Sequence, residues 1–300
     1  MEAVLQIAVL AFVPLVLAAM GGLLPWRTGV IVVGVEGLML VGAFVGAVIS
    51  ALSGSQLLGF VAAAVAGAFF GGGLALVMVY LRADQVVTGI AFNIAAIGAT
   101  SFAFALIEDA RGDLISPGGG KLSVPYLSDL PYFGSVFSQH WLAAGVPLLV
   151  VGLAYVLVRT GLGLRLRAAG EYSAGAHAAG VNVGAHRFWA TVACGSLAAL
   201  GGAFLAIVTV GGFSENMTAG RGYIALTIVI LGRWSPWGAV AGAVLFAISE
   251  GFSMVWQGTA GLPSQLFLAI PYVLTLVAVT ISAKAGQGPI EEGRPLIVGR

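Results

Sequence analysis

The sequence predicts an all-helical, polytopic membrane bundle, and three observations carry that prediction. Of 300 residues, 59% are hydrophobic and only 8% are charged, whereas a soluble domain carries about 25% charged residues. Lipid is the solvent that can accept so much apolar surface. The apolar residues fall in runs of about twenty, the length that crosses a ~30 Å hydrocarbon core at 1.5 Å rise per residue. The 45 glycines follow no three-residue period and sit inside those runs. Small residues at that density let membrane helices approach closely, since lipid supplies no hydrophobic drive for their association. Gly42/Gly46 and Gly238/Gly242 have the small-xxx-small spacing.

About nine spans follow, at 3–24, 28–50, 57–80, 86–107, 141–158, 188–210, 223–232, 236–256 and 264–282. The first lacks a basic leader and is too long for a signal-peptide core, so it is expected to stay on the protein. The seventh has half the usual length. It is a crossing, or a broken half helix, tolerated where its backbone faces protein or a water-filled cavity.

Orientation follows from Lys and Arg, which short inner loops retain. With the N-terminus outside and the C-terminus in the cytoplasm, Arg27, Arg82, Arg159, Arg165, Arg167, Arg187, Arg233, Lys284, Arg294 and Arg300 lie inside. Only Arg111, Lys121 and Arg221 lie outside. The chain then divides into a transmembrane domain over 1–283 and a cytoplasmic tail over 284–300. An extracytoplasmic loop at 108–140 and an inner loop at 159–187 belong to the first. The outer loop is long, rich in Pro, Gly and Asp, and expected to form an ordered cap or docking surface.

Catalytic and metal chemistry find no constellation. Ser116 to Leu122 superficially resembles a phosphate loop, but Leu122 stands where a magnesium-binding hydroxyl is needed. His140, His177 and His186 are far apart and read as polar residues, the first and last beside span ends. Cys194 is a lone core cysteine, and a net charge of +1 gives no nucleic-acid footprint.

Ionisable residues inside spans are costly enough to mark function. Glu36, eight residues into the second span and so about 12 Å along it, is the stronger candidate, and Glu250 is the other. On the fourth span Thr88 and Asn93 offer hydrogen bonds, and Phe92, Phe102 and Phe104 offer stacking for a polar aromatic solute.

The inner loop contains Leu166-Arg167-Ala168-Ala169-Gly170-Glu171, then a short small-faced helix over 174–179 with Ser173 as its N-cap, then Gly180-Val181-Asn182-Val183. A helix of that kind suits a partner's groove. This pattern resembles the coupling segment of ABC importer permeases of the branched-chain amino acid, ribose and nucleoside superfamily. Gly34-Val35-Glu36-Gly37-Leu38-Met39-Leu40 is similar to the second-span signature of that family. Met217-Thr218-Ala219-Gly220-Arg221-Gly222-Tyr223, continuing to Leu231-Gly232-Arg233-Trp234, resembles its nucleoside-type members, and Asp84-Gln85-Val86-Val87-Thr88-Gly89 matches as well. The matches run over most of residues 25 to 260. One departure is Val32, where the family commonly carries Asn, so the choice of solute here is open.

The resemblance implies a permease subunit of an ATP-driven importer in a bacterial inner membrane, carrying small polar solutes such as nucleosides. Its partners would be a second permease subunit in a heterodimer, a cytoplasmic ATPase that holds ATP and magnesium, and an extracytoplasmic solute-binding protein. No cofactor would sit on this chain. Arg165, Arg167, Gly170, Glu171, Ala174 and Gly180 would form the ATPase coupling surface, and Glu36, Thr88, Phe92, Asn93 and Glu250 the solute pathway. A permease for simple sugars or branched-chain amino acids is the alternative within the family. An ion-coupled secondary transporter using Glu36 or Glu250 is the alternative outside it.

Overall fold

Long apolar stretches with few helix breakers become helices because only helices satisfy their own backbone polar groups in lipid. In the computed structural model, residues 2–111, 121–123, 138–257 and 288–294 are described, with isolated positions between 269 and 280. The helices are α1 (Glu2–Trp26), α2 (Val35–Ser53), α3 (Gln56–Ala75), α4 (Gln85–Arg111), α5 (Trp141–Arg159), α6 (Gly161–Glu171), α7 (Ser173–Ala178), α8 (Val183–Phe204), α9 (Arg221–Leu231) and α10 (Pro236–Trp256). Single π-helical segments extend α3 over Leu76–Tyr80 and α8 over Leu205–Val210. Among the described residues, seven helices are long and apolar enough to cross a membrane: α1, α2, α3, α4, α5, α8 and α10. Apart from those isolated positions, the expected span at 264–282 lies outside the described residues.

α1, α2 and α8 are mostly buried and form the centre, with α3 on α8 and α10 on α1. Leu17, Met20 and Leu23 of α1, Leu38 and Met39 of α2, Phe204 of α8, Ile228 of α9 and Phe246 of α10 fill one core. Close approach depends on glycine. A methyl group at Gly42 would overlap the Ala199 carbonyl of α8, and one at Gly238 would overlap the Gly232 carbonyl. Both small-residue pairs expected from the sequence therefore lie at backbone contacts. α4 and α5 are mostly exposed and carry apolar side chains such as Ile94, Phe102, Leu148 and Val151 outward.

One expectation about spans needs correction, and the segment left open between a crossing and a half helix takes a definite length. The second helix begins at Val35, not Thr28. Residues 30–33 are a β-branched run between Gly29, whose φ is +87°, and Gly34, and such a run loses side-chain freedom in a helix while fitting extended backbone. The seventh segment is α9, eleven residues and so about 16 Å, half of a crossing. The chain before it, 211–220, is non-helical, with φ positive at Gly211, Asn216, Ala219 and Gly220.

In the outer segment, only a short antiparallel ladder of Lys121–Ser123 with Ser138–His140 is described after α4. The remainder of the expected cap lies outside the described residues, as does most of the phosphate-loop look-alike. His140 is more than a polar residue at a span end. It is buried against Phe60, Trp141 and Phe204 and caps α5, its Nδ1 accepting from Leu142 N at 3.3 Å while Nε2 meets Gln56 Oε1 at 2.8 Å. Burial pushes its pKa below the usual histidine value.

Candidate functional site

Two helices begin inside the bundle, and a shared set of side chains satisfies both beginnings. The first N–H groups of any helix lack intrahelical partners, and away from water they must be met by side chains. At the start of α2, Gly37 N donates to Asn93 Oδ1 at 2.8 Å. Asn93 Nδ2 donates back to Val33 O at 3.1 Å and across to the Tyr223 hydroxyl at 2.9 Å. Ile31, in the non-helical stretch before α2, gives its N–H to Gln85 Oε1 at 2.7 Å.

At the start of α9 the donor set converges on one carboxylate. Glu36 Oε1 accepts from Thr218 Oγ1 at 2.6 Å and Gly220 N at 2.8 Å, and Oε2 accepts from Gly222 N at 2.6 Å. Glu36 is 3% exposed. Its negative charge sits at the N-terminal, positive end of the α9 dipole and in the first turn of α2 as well, so both dipoles hold it. Gly222 must be glycine here, because a Cβ would lie 2.6 Å from Glu36 N.

One residue earlier, Arg221 pairs with the Glu250 carboxylate of α10. Its Nη1 also donates to Met217 O and Thr218 O at 3.3 and 3.4 Å. Arg221 Nε and the buried Ser249 hydroxyl have no hydrogen-bond partner among the described residues. Spare polar capacity therefore lies at Arg221, Ser249 and Glu250, whereas Glu36 has both oxygens engaged. Glu250 is fourteen residues into α10, about 21 Å from its start.

Of the expected pathway residues, Glu36, Asn93 and Glu250 are drawn together around α9. Phe92 flanks them, half-buried against Gly34 and Gly37 and 5.9 Å from Phe70. Thr88 is not among them. Its hydroxyl is spent on Asp84 O at 2.6 Å in the first turn of α4. Phe104 stacks on Phe213 at 5.2 Å as packing, and Phe102 is exposed. Arg221, expected in an outer loop, instead starts an interior helix. Together with Thr218 and Tyr223 it was legible only as part of a motif, because nothing in local composition marks 211–220 as a segment that enters the bundle.

A second polar cluster lies at the opposite end of α9. α6 and α7 form an exposed shelf on which Arg165, Glu171, Ala174 and Gly180 face outward and Arg167 is half-buried. Gly180 ends the short helix at φ +82°, the left-handed value that favours glycine. Gly170 faces inward, where a Cβ would overlap the Arg27 carbonyl. Burial and the Arg167 charge lower the pKa of Arg27, and Glu171 raises it. Ser173 does not cap α7 with its side chain; its N–H donates to Glu291 Oε1 at 2.9 Å. Beside the shelf an open cleft of about 420 Å³ is lined by Val79, Tyr80, Arg82, His177, Gly180 and Asn182.

The described part of the expected tail packs on the bundle. Residues 288–294 fold back under the bundle, with Trp26 Nε1 donating to Glu292 and Gly293 N donating to Gly29 O at 3.0 Å. Burial raises the Glu292 carboxyl, and the Trp26 hydrogen bond lowers it in part.

Neither cluster pairs a nucleophile with a base, and no group of three His, Cys, Asp or Glu among the described residues could hold a metal. What the arrangement can do is hold two half-membrane helix starts in register and present a polar patch beside them. Residues 4–279 match the family described as branched-chain amino acid transport system / permease component. The chain is 33% identical to the guanosine ABC transporter permease protein NupQ of Bacillus subtilis over 96% of this chain and 94% of that one. It is 32% identical to the nucleoside ABC transporter permease protein NupC of Lactococcus lactis, over 93% and 92%. A putative glucose ABC transporter permease protein of Haloferax volcanii, TsgC13, is 32% identical over 83% and 76%. The resemblance drawn from the inner loop and the two signature stretches is borne out: the chain belongs to this permease family and is the membrane-spanning permease subunit of an ABC transporter.

Proposed function

We propose that this chain forms one half of the pore of an ATP-driven nucleoside importer in the bacterial inner membrane. It would work beside a second permease subunit, a cytoplasmic ATPase that binds ATP and magnesium, and an extracytoplasmic solute-binding protein. The observation that carries the direction of coupling is the gathering of charge at one end. Arg27, Arg82, Arg167, Arg187 and Arg294 lie around the α6–α7 shelf, and positive residues remain on the cytoplasmic side.

Nine crossings, with the N-terminus outside and the C-terminus inside, fit the same geometry. Gly251 of α10 lies against Val4, whereas Glu292 meets Trp26. Those two contacts are 22 residues apart on α1, about 33 Å, so Gly251 and Glu292 lie near opposite ends of α1, as a ninth crossing requires. The domain limits expected from sequence, 1–283 for the membrane domain with a cytoplasmic tail after it, fit this path. Arg165, Arg167, Glu171, Ala174 and Gly180 serve as the ATPase contact, with Gly170 as packing behind it. Glu36 and Asn93 serve as the frame of the solute pathway, with Phe92 and Glu250 beside the solute.

Nucleosides are favoured because the guanosine and nucleoside relatives align over nearly the whole of both chains. The glucose relative supports a sugar permease as the second reading. An ion-coupled carrier is disfavoured by Glu36, whose oxygens are already met by three protein donors, leaving little room for an exchangeable proton or sodium ion. Purification of the solubilised complex tests the proposal. An ATPase should co-purify, and its solute-binding partner should gain thermal stability with guanosine and not with glucose. Guanosine uptake that survives an ATPase-dead partner but collapses with an uncoupler would overturn it.

A further inference from the structure

The C-terminal segment ties the end of α6, the start of α7 and Arg187 of α8 together through one residue, Glu291. Glu291 N donates to Gly170 O at 3.0 Å at the end of α6, and Glu291 Oε1 accepts from Ser173 N at 2.9 Å at the start of α7. A six-residue helix with no side-chain cap of its own is thereby capped from more than a hundred residues away. Glu291 Oε2 pairs with Arg187 Nη2 at 3.4 Å.

Arg187 is 1% exposed and leads to the hinge between α1 and α2. Its Nε donates to Thr28 O at 2.9 Å and its Nη1 to Arg294 O at 3.2 Å. One residue on, Gly29 has φ +87° and its carbonyl accepts from Gly293 N at 3.0 Å. The non-helical run 30–34, which ends in a turn at Val33 and Gly34, then leads straight into the helix start that carries Glu36. Gly170, held by Glu291, lies directly on the Arg27 carbonyl. A displacement of α7 thus has polar contacts as far as Thr28 and Gly29 and the backbone of residues 30–35 from there to the interior cluster, and Glu291 is the link that grips the helix.

We propose that Glu291 is a positioning residue for transport: it clamps the α6–α7 shelf to the Arg187–Thr28 hinge, so that motion of the shelf is delivered to the start of α2. This rests on reading the shelf as the ATPase contact. Arg187 keeps its hydrogen bonds to Thr28 O and Arg294 O when the Glu291 charge is removed, so the loss falls on the link to the shelf and not on the fold. Glu291→Gln keeps the shape, leaves the acceptor for Ser173, and removes the charge that Arg187 faces.

The test uses the assembled wild-type and variant complexes in proteoliposomes with the binding protein, guanosine as probe, and the ratio of guanosine transported to ATP hydrolysed as readout. A coupling energy of the usual size corresponds to a factor of about 5 or more. Glu291→Gln should lower the ratio by at least that factor while ATP hydrolysis stays within about twofold and the melting temperature is little changed. A merely structural role would lower hydrolysis, transport and melting temperature together. An unchanged ratio in Glu291→Gln overturns the clamp. A wild-type complex that moves no guanosine with ATP overturns the importer reading instead.

Discussion

At the residue scale, buried polar side chains in this protein are spent on backbone groups. Glu36 takes donors from Thr218, Gly220 and Gly222, and Asn93 serves Gly37 and Val33. Glu36→Gln replaces an acceptor with an NH₂ group facing a backbone N–H, which costs about 1–3 kcal/mol for an unmet buried group. Glu250→Gln leaves a hydrogen bond to Arg221 possible. Transport and the melting temperature should therefore fall further in Glu36→Gln than in Glu250→Gln, measured by uptake and thermal unfolding at equal abundance; the reverse order would contradict the cap. The importance of Glu36 was legible as a charge in an apolar run. Its partners were not, since two of the three donors are backbone N–H groups about 185 residues away, and these leave no mark on composition.

His140 offers a pH test at the same scale. Its buried ring accepts at Nδ1, which requires the neutral form, and burial lowers its pKa from the ordinary 6.5. The folded state then binds fewer protons than the unfolded one below about pH 6.5. The stability this residue supplies is fully present above that pH and is lost as pH falls from there toward the lowered folded pKa. Over pH 7 to 5 the melting temperature should fall more in wild type than in His140→Asn, whose side chain can still cap α5. Equal slopes would contradict the capping role.

At the scale of elements, apolar run length located the long helices to within a few residues, and α10 at its full extent. It failed at residues 28–34 because hydropathy does not distinguish an apolar extended segment from an apolar helix. The available signal was the β-branched run between Gly29 and Gly34. Helix contacts are set by glycine, so Gly42→Val should prevent α2 from meeting α8 and lower stability by about 1–3 kcal/mol. Gly73→Ala has open space around its Cβ and should raise the melting temperature slightly, since Ala is the better helix former by about 1 kcal/mol. Two variants with the same sign in a thermal melt would contradict the packing account.

At the scale of the whole molecule, the fold places a buried polar cluster inside the bundle and an exposed shelf at the end where arginines gather. Arg27, Arg82, Arg167, Arg187 and Arg294, grouped together by charge counting, gather at that end, whereas Arg221 is drawn onto Glu250 beside the buried Met217 and Thr218 while Ser214, Glu215 and Asn216 stay exposed. The tail could not be read in advance. Glu291 and Glu292 resemble ordinary solvated charges until the fold brings Arg187 and Trp26 to them. The most direct measurement uses a membrane-impermeant thiol reagent on cells carrying single cysteines at the exposed positions Ala174 and Ser53, with Cys194 replaced by Ala. Ala174→Cys should react only after permeabilisation and Ser53→Cys should react in intact cells. Labelling of Ala174→Cys from outside intact cells would contradict the placement of the shelf on the side where ATP is hydrolysed.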